Sequence, residues 1–374
     1  MLYLFFPIKS NRILFTDSGN SYRCNPKYIF QFLYDWHGNK YEYVWAINNS
    51  SAIPSKYKVK RASYLSLRHL YYLATSSVLV SNVGIEPFVP PRKGRIFINT
   101  WHGGGAYKMS SISASYYSRS HRWYFKKIRD LRAKSTDYVI STNRVFSEVM
   151  SSYFNVPIEK FLSIGMPRND IFFKPEQEKE EMRQKICHRL NIDEKKTIVL
   201  YAPTYRGHER TVKKIDLGLD VPAVCNAVQM RFGRDVVFLY RCHINMKKNY
   251  AALDSTIDVS SYPDMQELLL LANIIITDYS SFIWDYAFTY KPGFLYTPDL
   301  ADYESDVGLY TPIQYWQYPY ALTNEQLCSL IFEYEESSAT QKINNHLSLI
   351  GSYEKGVASK TICDLIIKHV DSMQ

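Results

Sequence analysis

The sequence lacks the short signatures that identify common nucleotide and metal enzymes. It contains no P-loop, no GxGxxG, and no His, Cys, Asp and Glu at the spacing of a metal site. Its six cysteines include no CxxC pair, which excludes zinc ribbons and predicts free thiols in a reducing compartment. The motifs therefore indicate no cofactor and no metal site, and they leave a need for Mg²⁺ open.

Long apolar runs are also missing. No stretch reaches the roughly 18 apolar residues of a membrane-spanning helix. The first residues, MLYLFFPIKSNR, have no basic residue before the apolar run and no small-residue cleavage site, so they do not match a signal peptide. We therefore expect a cytoplasmic protein, for which peripheral contact with the inner face of the cell membrane stays open.

The composition is that of a folded protein with an anionic partner. A length of 374 residues predicts two domains, and 46% hydrophobic with 22% charged residues is a globular balance. The net charge of +9 fits a nucleic acid, a nucleotide-linked substrate or an acidic membrane surface. An ordinary basic protein is the alternative.

Short β-rich runs alternate with helical patterns, which is typical of parallel sheets covered by helices. Strands are predicted at 12–17, 43–47, 77–81, 95–100, 138–142, 197–202, 235–240, 273–277 and 294–296. Helices are predicted from Pro26, with Asn25 as a cap, and at 64–74, 119–134, 144–154, 175–190, 265–272 and 280–290. We expect two Rossmann-like lobes, 1–175 and 176–374, with a C-terminal helix that could pack back on the first lobe.

In such sheets ligands bind outside the carboxyl ends of the strands, so the residues after each strand are the candidates. After the strand at 95–100 comes Trp101-His102-Gly103-Gly104-Gly105. The glycines allow a backbone to approach a ligand closely, and His102 can accept a proton near neutral pH. A loop histidine with a structural role is the alternative.

Three loops of the second half carry residues suited to phosphate. Asp278, Tyr279, Ser280 and Ser281 lie between a strand and a predicted helix, where backbone N–H groups and hydroxyls favour an anion. A plain helix cap is the alternative, and it is the favoured interpretation when this segment is taken alone. Arg241 and His243 share one face after another strand and suit a diphosphate. Thr204 and Arg206 lie in a similar polar loop.

The predicted helix at 119–134 is basic and aromatic. It carries seven Lys or Arg residues and one acidic residue, interleaved with Trp123, Tyr124 and Phe125. Such a helix can lie on an anionic membrane surface. The cations that would contact it are Arg119, Arg122, Lys126, Lys127 and Arg129. A solvated helix face is the alternative.

These motifs together resemble a known family. The run YPDMQELLLLANIIITDYSSFIWDYAFTYKPGFLY is similar to the C-terminal signature of the CDP-glycerol glycerophosphotransferases, the teichoic acid primases and polymerases. NPKYIF, NTWHGG, GMPRND, YAPTYRG, LYRCH and DLADYESDVGLY resemble further blocks of that family, in the same order. The resemblance implies a GT-B-type α/β fold, in which two Rossmann-like lobes face a central cleft.

The resemblance also implies a reaction and roles for particular residues. An acceptor hydroxyl would attack the β-phosphorus of CDP-glycerol and release CMP. His102 is the implied general base, and His243 and Arg241 are implied at the donor diphosphate. Ser280 and Ser281 would hold phosphate oxygens beside Asp278, and Thr204 and Arg206 belong to the same donor side. Asp264 and Met265 match the positions of cytidine contacts.

The acceptor side departs from the family pattern. The usual WHGTPLK is here WHGGGAYK, so Gly103 is kept, Gly104 lacks the expected side chain, and Lys108 follows in place. The acceptor, lipid-linked or polysaccharide, is thereby left open. In the YAPTYRG block, Gly207 stands where an acidic residue is common.

Other functions fit part of the same pattern. A CDP-ribitol donor would use the same motifs. A GT-B nucleotide-sugar glycosyltransferase or epimerase would need a carboxylate for sugar hydroxyls, for which Asp285 and Asp299 are candidates. A nucleic-acid-binding protein would show salt-dependent binding of oligonucleotides, but no recognition module supports it.

Overall fold

The structure is a computed structural model that describes residues 5–48, 53–105, 119–204, 206–208, 211–213, 217–242 and 255–373. These residues divide into two compact units. The first unit contains 5–105, 119–173 and 351–373, and the second contains the described residues of 174–350. Each unit is built around one parallel sheet.

The first unit contains strands β1–β7 and helices α1–α4 and α12. The strands are β1 (Lys9–Thr16), β2 (Glu42–Ala46), β3 (Lys60–Ala62), β4 (Ser76–Ser81), β5 (Ile96–Asn99), β6 (Tyr138–Ser141) and β7 (Phe161–Ser163). The helices are α1 (Cys24–His37), α2 (Leu67–Thr75), α3 (Arg119–Lys134), α4 (Arg144–Phe154) and α12 (Ala358–Asp371).

All strand pairs of the first sheet are parallel, in the order β3-β2-β1-β4-β5-β6-β7. Side chains alternate between its two faces. Ile13 and Phe15 pack with α1 and α12, and Leu14 packs on the other face with Leu73 of α2. Both faces are therefore covered, which explains why the central residues 13–15 of β1 and 78–80 of β4 are all apolar.

The second unit contains the remaining elements. Its strands are β8 (Thr197–Tyr201), β9 (Arg206–His208), β10 (Thr211–Lys213), β11 (Val236–Tyr240), β12 (Ile257–Asp258), β13 (Ile274–Thr277), β14 (Gly293–Tyr296) and β15 (Tyr320–Ala321). Its helices are α5 (Glu176–Leu190), α6 (Val221–Phe232), α7 (Met265–Leu271), α8 (Phe282–Tyr286), α9 (Leu300–Asp306), α10 (Asn324–Phe332) and α11 (Glu336–Ile350).

The second sheet repeats the order of the first. Its strands run parallel in the order β12-β11-β8-β13-β14-β15, while β9 and β10 form a separate antiparallel pair. When the strands of each sheet are numbered by their own order along the chain, both sheets contain the arrangement 3-2-1-4-5-6, which is the Rossmann order. The order reverses between β1 and β4 in one sheet and between β8 and β13 in the other, and ligands bind at such points.

The predicted helices 119–134, 144–154 and 265–272 are confirmed to within one residue. Two details of the prediction are wrong. Asn25 lies inside α1 and does not cap it, because its side chain bonds to the carbonyl oxygens of Thr100 and Trp101. The helix predicted at 280–290 is α8, which has five residues and continues as a 3₁₀ turn over Ala287–Thr289.

The helices that the structure describes are too short or too polar to cross a membrane. Within those same ranges, no three His, Cys, Asp or Glu residues are grouped so that they could hold a metal ion.

Candidate active site

The predicted His102 lies at the carboxyl edge of the first sheet, beside two residues that follow neighbouring strands. Asp17 follows β1, Asn82 follows β4, and His102 comes three residues after the end of β5. β1 and β4 are paired neighbours, and β4 pairs with β5. The sheet therefore brings three segments that are distant in sequence to one place.

His102 is held by a backbone carbonyl. Its Nδ1 lies 2.8 Å from the carbonyl oxygen of Asn82. A carbonyl oxygen only accepts hydrogen bonds, so Nδ1 must carry the proton that it donates. In the neutral ring the lone pair then lies on Nε2, which is the nitrogen able to take a proton from a substrate hydroxyl.

The surroundings of His102 favour the neutral ring. Although the residue is exposed to solvent, the packed protein atoms around it lower its pKa, chiefly by desolvation. Arg168 lowers the pKa further, while the Asn82 carbonyl and the charge of Asp17 act in the opposite direction. The net effect is a pKa below the ordinary value of 6.5, so the ring is a base at neutral pH.

Two residues hold the loop before His102. Asn25 donates to the carbonyl oxygens of Thr100 and Trp101, both at 3.1 Å, and accepts from the backbone N–H of Arg168 at 3.1 Å. The buried Arg168 donates to the carbonyl oxygen of His102 at 2.7 Å. Two blocks of the sequence, NPKYIF and GMPRND, thus converge on the histidine loop.

The backbone of this loop is strained at Trp101, and contacts of Trp101 stabilise that conformation. Trp101 has a φ of +50°, a left-handed conformation that is costly for a bulky residue. Its N–H bonds to the side chain of Asn99 at 3.0 Å, and its ring packs against His102 with 4.4 Å between centroids. A side chain at Gly103 would meet the Trp101 indole at 3.2 Å from its Cβ. Gly103 therefore also serves the internal packing of the loop.

In the second unit, Arg206 joins two carboxylates. It donates to Asp278 at 2.8 Å and to both oxygens of Asp299 at 2.6 and 3.0 Å. Asp278 is fully buried and also accepts the backbone N–H and the hydroxyl of Thr204, at 2.9 and 2.6 Å. Arg206, Asp278 and Thr204 thus tie the loop after β8 to the loop after β13.

Two tyrosine rings complete this network. Tyr279 and Tyr303 stack with 3.7 Å between their centroids, and the Arg206 guanidinium lies 4.9 and 5.0 Å from them. Burial alone would raise the pKa of Asp299, but its bonds to Arg206 outweigh burial and lower it. Asp299 is therefore ionised and bonded to Arg206. Asp285, the other carboxylate considered for sugar hydroxyls, accepts a hydrogen bond from Gln266 at 3.0 Å.

The residues expected near cytidine and diphosphate have supporting contacts. Arg241 donates to the carbonyl oxygen of Tyr262 at 2.9 Å. Asp264 is buried and caps α7 by accepting from the N–H groups of Gln266 and Glu267, at 2.9 and 3.4 Å. Met265 is the first residue of that helix. The segment after β11 and the start of α7 are therefore fixed to each other.

Ser280 and Ser281 follow Asp278 at the carboxyl end of β13 and are half-buried. Ser281 occupies the N-cap position of α8, but its side chain makes no capping bond. The Ser281 hydroxyl therefore does not cap α8, which was the alternative to phosphate binding. Two other predicted residues, His243 and Lys108, lie outside the described residues, and Gly104 is buried in the His102 loop.

Helix α3 spans the predicted residues 119–134. Trp123 and Tyr124 are 64% and 55% exposed, which leaves two large aromatic rings in solvent. Lys126 and Lys127 are also exposed, and Lys127 lies over the Trp123 ring at 5.3 Å. Arg129 is half-buried and pairs with Asp130. For Arg119 and Arg122 the structure describes the helical backbone and not the side chains.

The sequence prediction did not identify Asp17, Asn82, Asn25 and Arg168 as site residues. Asp17 and Asn82 could have been found by the rule that selected His102, because each directly follows a strand. Asn25 and Arg168 follow no catalytic pattern. Their role depends on the hydrogen bonds of the folded loop, which are not visible in the spacing of the residues.

Two Rossmann-ordered parallel sheets with polar loops at their carboxyl edges define a GT-B-type α/β protein, as predicted. The structure is similar to that of the wall teichoic acid polymerase TagF, with a TM-score of 0.84 and 25% identity over 98% of this chain and 90% of that one. The fold alone is shared with UDP-GlcNAc 2-epimerase from Neisseria meningitidis, at a TM-score of 0.52 and 10% identity, covering 96% of this chain and 100% of that one.

Sequence relatives agree with this class. The teichoic acid poly(glycerol phosphate) polymerase of Staphylococcus epidermidis is 30% identical over 97% of this chain, which spans 51% of that relative's length. The protein of the same description from Bacillus spizizenii is 27% identical, with 94% and 90% of the two chains covered. Residues 1–368 match the family described as CDP-Glycerol:Poly(glycerophosphate) glycerophosphotransferase. The chain belongs to this family, so the resemblance predicted from its motifs is confirmed.

Proposed function

We propose that this chain transfers glycerol phosphate from CDP-glycerol to a hydroxyl group of a lipid-linked or polysaccharide acceptor in teichoic acid or related surface-polymer synthesis. The observation that supports this most directly is the bond between Nδ1 of His102 and the Asn82 carbonyl. It leaves Nε2 as the basic nitrogen of a ring whose pKa is lowered. General-base activation of a hydroxyl needs such a group.

In the proposed step, the acceptor oxygen attacks the β-phosphorus and its proton passes to Nε2 of His102. A new P–O bond forms, the bond from the β-phosphorus to the bridging oxygen breaks, and CMP leaves with that oxygen. Gly103 and Gly104 of the first unit, together with Lys108, take the acceptor. The second unit takes the CDP donor.

On the donor side, we divide the predicted residues into two kinds. Ser280, Ser281, Arg241 and His243 contact the diphosphate, since hydroxyl and cationic groups stabilise the charge of a leaving phosphate. Thr204, Arg206 and Asp278 hold the loops that present them, because they bond to one another and, through Arg206, to Asp299. Asp264 and Met265 place the start of α7 beside the cytidine.

Release of CMP tests the function. The purified protein is incubated with CDP-glycerol and a lipid-linked glycerol-phosphate acceptor, and CMP is measured with and without the acceptor. We expect acceptor-dependent CMP, because the leaving group appears only when the phosphodiester forms. A CDP-ribitol arm tests the alternative donor, which teichoic acid ribitol-phosphate relatives at 26% identity make worth including. UDP-sugars test the glycosyltransferase alternative. If neither CDP-alcohol yields CMP, the proposal is wrong.

We also propose that the chain acts in the cytoplasm, at the inner face of the cell membrane, and that α3 contacts anionic lipid there. The exposed Trp123 and Tyr124 beside Lys126 and Lys127 support this. Aromatic rings favour the membrane interface, and each Lys or Arg near an anionic surface contributes about 1 kcal/mol. Arg119, Arg122 and Arg129 are the further cations proposed for this contact.

Replacing Lys126 and Lys127 with glutamate should weaken binding to vesicles that contain phosphatidylglycerol by about tenfold or more. Co-sedimentation at low and high salt measures this. The matched control is the double variant Lys185→Glu and Lys195→Glu, which makes the same change of charge at exposed positions of the second unit. Equal binding by the two double variants would show that α3 has no special role.

A further inference from the structure

The loops after β1 and β4 hold the backbone carbonyl that orients His102. We propose that Asp17 and Asn82 are positioning residues that fix the proton-accepting tautomer of His102. The structural part of this inference stands on the contacts of these residues. Its consequence for turnover rests on the proposed function of His102 as the general base.

The Asn82 side chain is clamped at both ends. It is completely buried, its Nδ2 donates to Oδ1 of Asp17 at 2.6 Å, and its Oδ1 accepts from the backbone N–H of Ser18 at 2.7 Å. Both partners lie in the loop that follows β1. The backbone of Asn82 cannot rotate without breaking these buried bonds, each of which is costly to leave unmade. Its carbonyl oxygen is thereby fixed towards His102.

Asp17 is the centre of this clamp. Its carboxylate, fully shielded from solvent, accepts from Asn82 through one oxygen. The other oxygen accepts from the N–H of Gly19 at 2.9 Å, the hydroxyl of Ser21 at 3.1 Å and Nε of Arg23 at 2.8 Å. A buried carboxylate with this number of donors is held in one orientation. It therefore transfers a fixed geometry from the β1 loop to Asn82.

The consequence is a reversed tautomer preference. Histidine in water favours the neutral form with the proton on Nε2, whereas the Asn82 carbonyl requires it on Nδ1. A ring with the proton on Nε2 would turn an N–H towards the substrate hydroxyl and could not accept its proton. Loosening the carbonyl should therefore change which nitrogen is basic, an effect that a residue needed only for folding would not produce.

Nitrogen NMR of protein labelled with ¹⁵N-histidine measures the tautomer directly and needs no substrate. His102→Gln identifies the signals of His102. In the wild type above pH 7 we expect Nδ1 to carry the proton and Nε2 to show the shift of a lone-pair nitrogen. In Asn82→Ala and in the milder Asp17→Asn, we expect the Nε2–H form to become the larger population.

The control is Asn143→Ala, which removes another buried asparagine of the same unit, the N-cap of α4. It should leave the His102 signals unchanged. With CDP-glycerol and acceptor, kcat of Asn82→Ala should fall about tenfold or more, while KM for the donor stays within about twofold. The kcat of Asn143→Ala should match the wild type.

The outcomes separate the two proposals. A wild-type ring with its proton on Nε2 overturns the positioning role, and this result requires no variant to fold. An unchanged tautomer in both Asn82→Ala and Asp17→Asn also overturns it. If the tautomer shifts as expected but the His102→Gln variant keeps wild-type turnover, the positioning inference holds and the role of His102 as the base is wrong.

Discussion

Replacement of His102 by alanine is expected to lower turnover of CDP-glycerol by about 10²–10⁴-fold, the usual contribution of a general base. The loss should appear in kcat, because the variant removes the group that takes the proton from the acceptor hydroxyl. Donor binding should stay within about twofold of the wild type, since the residues proposed to bind CDP lie in the other unit. CMP release and equilibrium binding of CDP-glycerol measure the two quantities.

The pH dependence of the wild type gives a second test of the same role. The pKa of His102 is lowered from 6.5 by desolvation from the packed protein atoms around it and by Arg168. The base is therefore neutral, and active, throughout the neutral range, and it is lost only when the pH falls below its lowered pKa. We expect kcat/KM to be flat near pH 7 and to decline on an acid limb below pH 6.5 that is absent in His102→Ala.

His188→Ala is the matched control, because His188 is an exposed histidine on α5 and is not among the residues proposed for the site. It should retain wild-type turnover and the same acid limb. Wild-type turnover in His102→Ala would instead remove His102 from the chemistry. The proton would then have to pass to another group, and His243 would be the first to test.

The sequence predicted the fold well because its strongest signals are local. Apolar runs such as 274–277, followed by a polar turn, specify strand ends without knowledge of the neighbouring strands. The strand-end rule then selected His102 at the edge of the first sheet, and Arg241 and Asp278 at the edge of the second. The capping prediction failed at Asn25. An asparagine before proline is a good helix cap unless a tertiary partner takes its side chain.

The remaining parts of the site depend on pairs that are far apart in the sequence. Asp17 and Asn82 meet only because β1 and β4 are adjacent. In the same way, Arg206 was assigned to the donor from its position after a strand, and its partners Asp278 and Asp299 are 72 and 93 residues away. A charged residue at a strand end can bind a ligand or a neighbouring loop, and spacing alone does not distinguish the two.

Arg206→Met is expected to be the most destabilising change in the second unit. The Arg206 side chain is 6% exposed, and its partners Asp278 and Asp299 are 0% and 18% exposed. Removing one partner of a buried ion pair leaves an uncompensated charge, which typically costs about 3–5 kcal/mol. Asp278 would be that charge, and the loop containing Thr204 would lose its anchor. Ser280 and Ser281, which follow Asp278 by two and three residues, would lose their fixed position as well.

Urea unfolding that is monitored by hydrogen exchange at residues 197–204 and 274–277 measures the loss of stability in the second unit. Arg144→Met is the matched control: its pair with Glu148 is 55% and 51% exposed, so its loss should cost at most about 1 kcal/mol. Because Asp278→Asn removes the stranded charge, the double variant Arg206→Met with Asp278→Asn should lose less than the sum of its single variants. A wild-type unfolding midpoint for Arg206→Met would contradict a structural role. Direct contact of Arg206 with the CDP donor would then be the better proposal.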